Sequence, residues 1–395
     1  MTAAQGLTPA AEITARIAGL QQRLAAEEID AALIMQNVDL FYYAGTAQQA
    51  YLYVPAAGEP VLLVKKDLER ARAESALADI RPLKSTRQIP AAIGAAPGRL
   101  GLEMDVIPAN LYLQTGSLFA ASQLVDVSPL IRLQRAVKSE HELGVIRAAA
   151  DLSDRLAAAV PRVLTEGMTE LEFNAAVEAE ARRLGHQGMM RMRLWGGELF
   201  YGHLMAGPTA AVPSYLASPT GGPGTSPAFP QGAGYGRIQA GQPVLVDMAF
   251  AFQGYVSDHT RIFAIGHIDD DLVEAQEAML IVQGMIQEAA RPGAVTGELY
   301  QMAVDKAADL GYADYFMGAG ENRIRFVGHG VGLELDEFPF LAKGQTLALE
   351  ENMVVALEPK LIFPGRGVVG IENTHQVTAE GMWPLGRYPE GITIF

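Results

Sequence analysis

Acidic side chains lie within some of the most apolar, strand-like sequence of this chain, and as a group they could bind cations. Asp247 lies in VLVDM, and Asp258 follows shortly after in YVSDHT. A two-residue turn between these strands would place Asp247 opposite Thr260. Asp258 lies two residues from Thr260, so both carboxylates would point to the same face. Two negative charges that close repel each other unless a cation lies between them. For this hairpin alone there is an alternative to a bound cation. One aspartate would pair with Arg261, and the other would be an ordinary turn residue.

A second strand–turn–strand pattern carries two more acids. The stretch VVALEPKLIFPGRGVVGIENTHQV (354–377) has Glu358 in one apolar run and Glu372 in the other. Glutamate is almost never buried unless it is paired, and the bases nearby are few, chiefly Lys360 and Arg366. Four buried acids with so few bases predict bound cations, and two divalent ions would balance the four carboxylates.

A histidine between glycines supplies a ligand of another type. His329 lies in VGHGVGLELDEFP, with Gly328 and Gly330 on either side. Glycine permits close approach of backbone, strands and ions that bulky neighbours would prevent. Oxygen-rich sites with one imidazole suit Mn²⁺, Fe²⁺, Co²⁺ or Zn²⁺. The expected cofactors are therefore two divalent ions of this group.

The elements that position these residues indicate two domains and an α+β fold class. Helix-like and strand-like segments alternate up to about residue 127, which predicts a small α/β domain over residues 1–133. The segment PLIRLQRAVKS is a plausible joint, and a long helix begins near Glu140. A second, larger domain is predicted over residues 140–395, and it contains all of the candidate ligands.

Two helix-like segments resemble each other at a constant offset of 126 residues. They are EGMTELEFNAAVEAEARRLG (166–185) and PGAVTGELYQMAVDKAADLG (292–311). Chance similarity between two amphipathic helices that end at glycine is one explanation. The other is a domain of two related halves, which would place its site between them.

Composition limits the class of protein. The chain has 395 residues, 49% of them hydrophobic, a formal net charge of −15 and no cysteine. An acidic surface repels phosphate backbones, so we expect no nucleic-acid partner. Without cysteine there are neither disulfides nor thiolate metal sites. We find neither a signal peptide nor an 18-residue apolar run, so we expect a cytoplasmic protein without a membrane partner.

Four motifs resemble a known superfamily, in the order that the family has them: VDMAFAFQGYVSDHTRIFAIG, GHGVGLELDEFP, ALEPKLIFPG and GIENTHQV. The chain resembles methionine aminopeptidase, aminopeptidase P, prolidase and creatinase, which share the pita-bread catalytic fold of duplicated halves. NVDLFYYAG and LQRAVKSEHELGVIRAA resemble the smaller creatinase-type N-terminal α/β domain of the prolidase and aminopeptidase P branch. The resemblance implies a homodimer and a two-metal site whose ligands are Asp247, Asp258, His329, Glu358 and Glu372.

The chain departs from the family pattern at three places. Gln231, in the Gly/Pro-rich loop, replaces one accessory histidine, Asp336 replaces another, and Gly370 stands where many members have arginine. Gln231 could still donate to an oxyanion, and Asp336 would suit an amine-bearing or cationic group; both are catalytic and substrate-binding candidates. His203 is a further substrate-binding candidate, or alternatively a hydrogen-bonded strand histidine.

The expected activity is two-metal-dependent hydrolysis of the bond before proline, by a dipeptidase or an aminopeptidase acting on a short peptide. The resemblance implies that the ions lower the pKa of water and that Glu358 accepts and relays its proton. Because both accessory histidines are replaced, the alternative is a non-peptidase hydrolase or lyase that cleaves a C–N or C–S bond of a small molecule. A non-catalytic binding module is the third alternative, against which the retained ligands argue.

Overall fold

The computed structural model describes residues 6–193 and 201–395. The chain divides into the units Met1–Arg135 and Ala136–Phe395. The domain ranges expected from the sequence, 1–133 and 140–395, remain a proposal for how the chain is organised. No helix in the described part of the chain has both the length and the apolarity needed to cross a bilayer.

The first unit is built on a mixed sheet with the strand order β4-β3-β2-β1-β5-β6. Strands β1, β2 and β3 pair antiparallel, whereas the outer pairs are parallel. Buried side chains such as Leu33, Leu63 and Leu100 form its core. The strands are β1 Ala31–Ile34, β2 Ala50–Pro55, β3 Val61–Val64, β4 Ile80–Pro82, β5 Arg99–Leu102 and β6 Gln123–Asp126. The helices are α1 Ala10–Ala26, α2 Asn37–Ala44, α3 Leu68–Glu74, α4 Ile89–Ile93, α5 Ala109–Leu118 and α6 Ser128–Ala136.

The second unit contains five further helices and a larger set of strands within the described residues. The helices are α7 Glu140–Ala157, α8 Val160–Val163, α9 Glu170–Leu184, α10 Asp270–Ala289 and α11 Thr296–Asp309. The strands are β7 Gly202–Ala206, β8 Val244–Met248, β9 Phe250–Phe252, β10 Tyr255–Ser257, β11 His259–Ala264, β12 Phe326–Gly330, β13 Glu337–Ala342, β14 Val354–Leu357, β15 Lys360–Phe363, β16 Gly367–Gly370, β17 Glu372–Thr378, β18 Gly381–Pro384 and β19 Thr393–Ile394.

The main sheet of this unit has a repeated arrangement. Its order is β13-β12-β14-β17-β11-β8-β7, so that the series β7, β8, β11 and the series β12, β14, β17 meet at the central antiparallel pair β11–β17. Helices α9 and α11 begin at Glu170 and Thr296, 126 residues apart. The helices that resemble each other in sequence therefore occupy corresponding places in two related halves.

Two apolar clusters fix the helices of this unit on the sheet. One includes Phe173 of α9 and Val246 of β8. The other includes Met279 of α10, Leu299 of α11 and Val355 of β14. Because interiors pack as densely as organic crystals, these clusters hold the strands that carry the acidic residues in fixed positions.

Candidate metal centre and active site

The four acids lie at or next to interruptions in the two hairpins. Asp247 is the fourth residue of β8, and it pairs with Thr260 of β11, which confirms the register expected from the two-residue turn. Asp258 separates β10 from β11, Glu358 follows β14 directly, and Glu372 begins β17. Asp247 and Glu372 both pair with Thr260, from opposite sides of β11, so that their side chains point to one face of the sheet, where those of Asp258 and Glu358 also lie.

That place is marked by the imidazole of His329. Its Nε2 atom lies 3.6 Å from Oε1 of Glu358, 3.8 Å from Oε1 of Glu372 and 3.8 Å from Oδ2 of Asp258. Asp258, His329 and Glu372 each offer a ligand atom, and these atoms lie within 4.8 Å of one another. All of these side chains are buried. The structure therefore brings together the histidine and three of the four predicted acidic ligands around one point.

Glycines beside His329 let neighbouring strands approach. A Cβ atom on Gly328 would lie 2.6 Å from the carbonyl oxygen of Ala356 in β14. One on Gly330 would collide with the backbone carbonyl of Phe338 in β13. The need for close strand approach therefore explains both glycines, because any side chain would push β12 out of the ladder that carries the histidine.

A lysine joins the same cluster. Nζ of Lys360 donates to Oδ2 of Asp247 at 3.0 Å, to Oε2 of Glu358 at 2.9 Å and to Oε2 of Glu372 at 2.8 Å. Its side chain is 1% exposed. In the sequence Lys360 is one of the few bases nearby, and metal ions are the expected counter-charge. The sequence does contain a signal for this contact. Lys360 follows Glu358 by two residues, and residues at that spacing on a strand point to the same face.

The two arginines of the same region are engaged elsewhere. Arg366 pairs with Asp269 and Asp271 at the surface. Arg261 donates to the backbone carbonyls of Thr260 and Glu372, not to the predicted ligands' carboxylates. The alternative of one aspartate paired with Arg261 is therefore not what the structure shows.

Burial and charge shift the pKa values of this cluster. Burial raises the pKa of Asp258 and Glu358 and raises that of Glu372 to about 7, because water no longer stabilises the ionised carboxylates. Burial alone would lower the pKa of His329, but the surrounding carboxylates, Asp336 foremost, raise it to about 9. The same attraction raises the pKa of Lys360 in spite of its burial. The cluster therefore has an excess of buried acid that positive charge would stabilise.

A cavity of about 420 Å³ opens onto the cluster. Its wall combines apolar side chains with the candidate polar groups, as small-molecule sites commonly do. The described lining residues are Met190, Met192, Tyr201, Gly202, His203, Tyr215, Leu216, Ala217, Ser218, Pro219, Gln231, Asp247, Ala249, Asp258, Phe326, His329, Leu335, Asp336, Glu358 and Glu372.

His203 and Gln231 face each other in this wall. Nε2 of Gln231 lies 2.6 Å from Nε2 of His203, and the hydroxyl of Thr220 lies 2.9 Å from the histidine's Nδ1 atom. The amide oxygen of Gln231 accepts from Ser214 at 3.0 Å. Burial lowers the pKa of His203 to about 4, so its imidazole is neutral near pH 7. The amide N–H group of Gln231 then donates to the unprotonated Nε2 atom.

Asp336 lies beside the metal-ligand candidate His329. Its Oδ1 atom is 3.4 Å from the histidine's Nδ1 atom. The backbone of Asp336 is left-handed, with φ of 61°, a conformation that aspartate tolerates better than most residues. The Nδ1 atom also contacts the backbone carbonyl of Gly330 at 3.2 Å. A carboxylate beside a ligating imidazole helps to hold it and raises its basicity.

Three other polar side chains near the site's sequence motifs lie outside the cavity wall in the described part of the chain. His259 is buried, with Nε2 3.7 Å from Oδ1 of Asp154. Arg193 lies 3.9 Å from Glu334, and Arg323 pairs with Asp314. None of these side chains is among the described residues that line the cavity.

The donor set suits a divalent ion. Asp258, Glu358 and Glu372 supply carboxylate oxygens and His329 a nitrogen, and all four surround one point from different strands or strand breaks. Carboxylates with a single imidazole are the ligands that Mn²⁺, Fe²⁺, Co²⁺ and Zn²⁺ accept.

Comparison with known proteins agrees with this geometry. The model of metallopeptidase family M24 matches residues 144–379. This chain belongs to that family. The creatinase/prolidase N-terminal domain matches residues 16–137. The family resemblance read from the motifs is thus confirmed, as is the pita-bread fold behind a creatinase-type N-terminal domain. This chain is therefore a metallohydrolase.

Relatives cover nearly the whole chain. The Xaa-Pro dipeptidase of Pyrococcus horikoshii is 29% identical over 357 residues, which is 89% of this chain and 91% of that protein. The crystal structure of the prolidase from Pyrococcus horikoshii has a TM-score of 0.80 at 26% identity and covers 95% of this chain and 99% of its own. Dipeptidase PepE from Mycobacterium ulcerans has a TM-score of 0.81 at 25% identity, with 98% and 99% covered.

Proposed function

We propose that this protein is a metal-dependent peptidase that hydrolyses the bond before proline in Xaa-Pro substrates. The observation that carries the proposal is the convergence of Asp258, His329, Glu358 and Glu372 at the wall of one cavity. The names of similar proteins, Xaa-Pro dipeptidase and prolidase, support the substrate class.

The proposed ligands follow from the donor geometry. Asp258, His329, Glu358 and Glu372 would hold a divalent ion, and Asp247 is the fifth ligand that the family resemblance implies for a two-ion site. When bound, such an ion supplies a Lewis acid that polarises a carbonyl and lowers the pKa of water. Mn²⁺, Co²⁺, Fe²⁺ and Zn²⁺ all suit this donor set.

Glu358 is the proposed general base and acid. Its carboxylate lines the cavity, and burial raises its pKa although Lys360 lowers it. A carboxyl group whose pKa is raised towards the working pH both accepts and returns a proton efficiently. Glu358 would take a proton from the attacking water and deliver it to the departing nitrogen.

The remaining candidates act on the substrate in this proposal. Gln231 and His203 hold each other in the wall and shape the pocket, and Asp336 orients His329 while its carboxylate faces the cavity. A carboxylate there favours an ammonium group over a carboxylate. An oxyanion-donor role for Gln231 remains a prediction.

The second candidate function is hydrolysis or elimination at a C–N or C–S bond of a small amine-bearing molecule. The observation in its favour is that no lysine or arginine is found among the described lining residues, so that a dipeptide's carboxylate has no cationic partner there. The same observation favours peptides longer than two residues within the peptidase proposal.

Turnover of matched substrates tests the proposal. The protein, loaded with Mn²⁺ or Co²⁺, is offered an Xaa-Pro dipeptide, a longer Xaa-Pro peptide and the same longer peptide with alanine in place of proline. We expect cleavage of a proline-containing substrate, and little of the alanine control. Silence on all three by protein shown to hold metal would instead favour the small-molecule alternative.

We further propose that the protein is a cytoplasmic homodimer. The absence of cysteine is compatible with a reducing compartment, and the family resemblance supports the dimer. Light scattering after size-exclusion chromatography tests the dimer, because a mass near twice 42.2 kDa is expected.

A further inference from the structure

Lys360 occupies a place in the acidic cluster where a cation is needed. Its Nζ atom lies 2.8–3.0 Å from one oxygen each of Asp247, Glu358 and Glu372. We propose that the ammonium group of Lys360 takes the place of one of the two cations expected here, so that the site binds a single divalent ion. The inference rests on the proposed function only for the claim that an ion binds at all.

The two glutamates each present one oxygen to the lysine and the other to the histidine. In Glu358, Oε2 accepts from Lys360 and Oε1 lies 3.6 Å from Nε2 of His329. In Glu372, Oε2 accepts from Lys360 and Oε1 lies 3.8 Å from the same nitrogen. Each carboxylate therefore bridges two positions for positive charge. One of these positions is already taken by the ammonium.

The hydrogen bonds of Lys360 are complete. An ammonium group has three donors and no acceptor, and these three carboxylate oxygens supply three acceptors. Oε2 of Glu372 also accepts from the hydroxyl of Thr260 at 2.8 Å. Displacing the ammonium would leave a buried charge without its partners, which is strongly unfavourable.

The backbone places the lysine in this position. Lys360 begins β15 and lies opposite Gly370 of β16. A Cβ atom on Gly370 would lie 2.6 Å from the Cα atom of Lys360 and 2.9 Å from its Cγ atom. The backbone carbonyl of Lys360 also accepts from the N–H group of Met317 at 3.0 Å. The lysine side chain is therefore fixed at its base, and the glycine leaves the room that it needs.

A second ion would compete with the ammonium for the same oxygens. Divalent ions bind carboxylate oxygens at about 2.0–2.2 Å, so that an ion among the three oxygens would lie almost where Nζ lies. Two cations that close repel strongly in a site shielded from water. The free position is the other one, between His329, Asp258 and the outer oxygens of the two glutamates.

This arrangement changes the role of Asp247. Its Oδ2 atom accepts from Lys360 at 3.0 Å and lies 3.9 Å from Nδ1 of His203. The other three acids each place an oxygen 3.6–3.8 Å from Nε2 of His329. Asp247 becomes a positioning residue that holds the ammonium. The four acids of the cluster thus face one permanent and one exchangeable cation.

Metal stoichiometry tests the proposal. The chelator-treated protein is titrated with Mn²⁺, and bound ions per chain are counted by native mass spectrometry and calorimetry. Electron paramagnetic resonance then distinguishes isolated Mn²⁺ from an exchange-coupled pair. We expect one ion and an uncoupled spectrum for the wild type, and two ions with a coupled spectrum for Lys360→Ala. Lys343→Ala, which removes an exposed lysine, is the matched control and should bind one.

Two tightly bound ions in the wild type would overturn the proposal. If the Lys360→Ala variant does not fold, the ion count of the wild type is sufficient to decide. One ion in both proteins would show that Lys360 does not occupy the second position, and no ion in the wild type would also overturn it. Xaa-Pro hydrolysis is assayed in the same samples. Hydrolysis by wild-type protein with two bound ions would refute the proposal for Lys360 but support the peptidase function. One bound ion without hydrolysis would support the proposal for Lys360 but count against the peptidase function.

Discussion

The Nζ atom of Lys360 lies 2.8 Å from Oε2 of Glu372, an acid of the cavity wall. Glu372 begins β17, and Lys360 begins β15. Two strand starts thus bring a base and an acid together in the interior. This ion pair separates the cluster into a part with a fixed positive charge and a part, around His329, that is suited to a metal ion.

Replacing Glu358 removes the proposed proton carrier. Glu358→Gln keeps the shape of the side chain but can neither accept a proton nor bind an ion as a carboxylate does. We expect kcat to fall by roughly 10²–10⁴-fold, the usual contribution of general acid–base catalysis, and Mn²⁺ affinity to weaken. The exposed Glu351→Gln is the control. A Glu358→Gln protein with wild-type kcat would refute the assigned role.

Replacing Asp336 tests its action on His329. The two side chains are 3.4 Å apart, and loss of a carboxylate beside a ligating histidine typically weakens metal affinity about 10–100-fold. We expect the Kd for Mn²⁺ to rise by that factor in Asp336→Asn, measured by calorimetry. Asp314→Asn removes a carboxylate that is 90% exposed and should leave the Kd unchanged. An unchanged Kd in both variants would leave Asp336 without this role.

Replacing Gln231 tests the cavity wall. Gln231→Leu removes the amide that contacts His203 and Ser214, so buried groups lose a partner at a cost of about 1–3 kcal/mol. We expect a lower free energy of unfolding and a lower kcat/KM, because the wall next to the substrate loosens. Gln301→Leu, at an exposed position, is the control. A Gln231→Leu variant with unchanged stability and unchanged kcat/KM would contradict the role of Gln231 in holding the cavity wall.

Acidification should destabilise the fold through His375. Burial lowers its pKa to about 4, whereas an unfolded histidine has a pKa near 6.5. The unfolded chain therefore binds more protons below pH 6.5, so the stability that the neutral ring contributes is full above that pH and is lost as the pH falls towards 4. Between pH 7 and pH 5 the expected loss is about 2 kcal/mol.

Urea unfolding at both pH values measures this loss. His375→Gln should lose less stability on acidification than the wild type by about that amount. The exposed His267→Gln serves as the matched control. An identical pH dependence in wild type and His375→Gln would contradict the contribution of the buried ring.

Much of the site could be predicted because strands have a strict period of two. That period, with a two-residue turn, gave the pairing of Asp247 with Thr260. The second hairpin has a three-residue loop, 364–366, which pairs Lys360 with Gly370, and the period of two puts the lysine on the side of Glu358. The sequence nevertheless predicts metal ions as the counter-charge, because it does not show that one lysine reaches three of the carboxylates.

Contacts made by irregular backbone could not be predicted in this way. Gln231 reaches His203 across 28 residues of mostly loop sequence, and no period relates the two positions. The left-handed backbone of Asp336 likewise has no pattern in the sequence that would aim its carboxylate at His329. Such contacts depend on the conformation that each loop adopts against the folded sheet.

The most direct test of the account is the dependence of Xaa-Pro cleavage on bound metal. The protein is assayed as purified, after chelation, and after Mn²⁺ is restored, with its metal content measured by elemental analysis and its fold by circular dichroism. We predict that chelation abolishes cleavage and that the restored ion recovers it in a protein that remains folded. Full cleavage by folded protein that contains no metal would contradict the account.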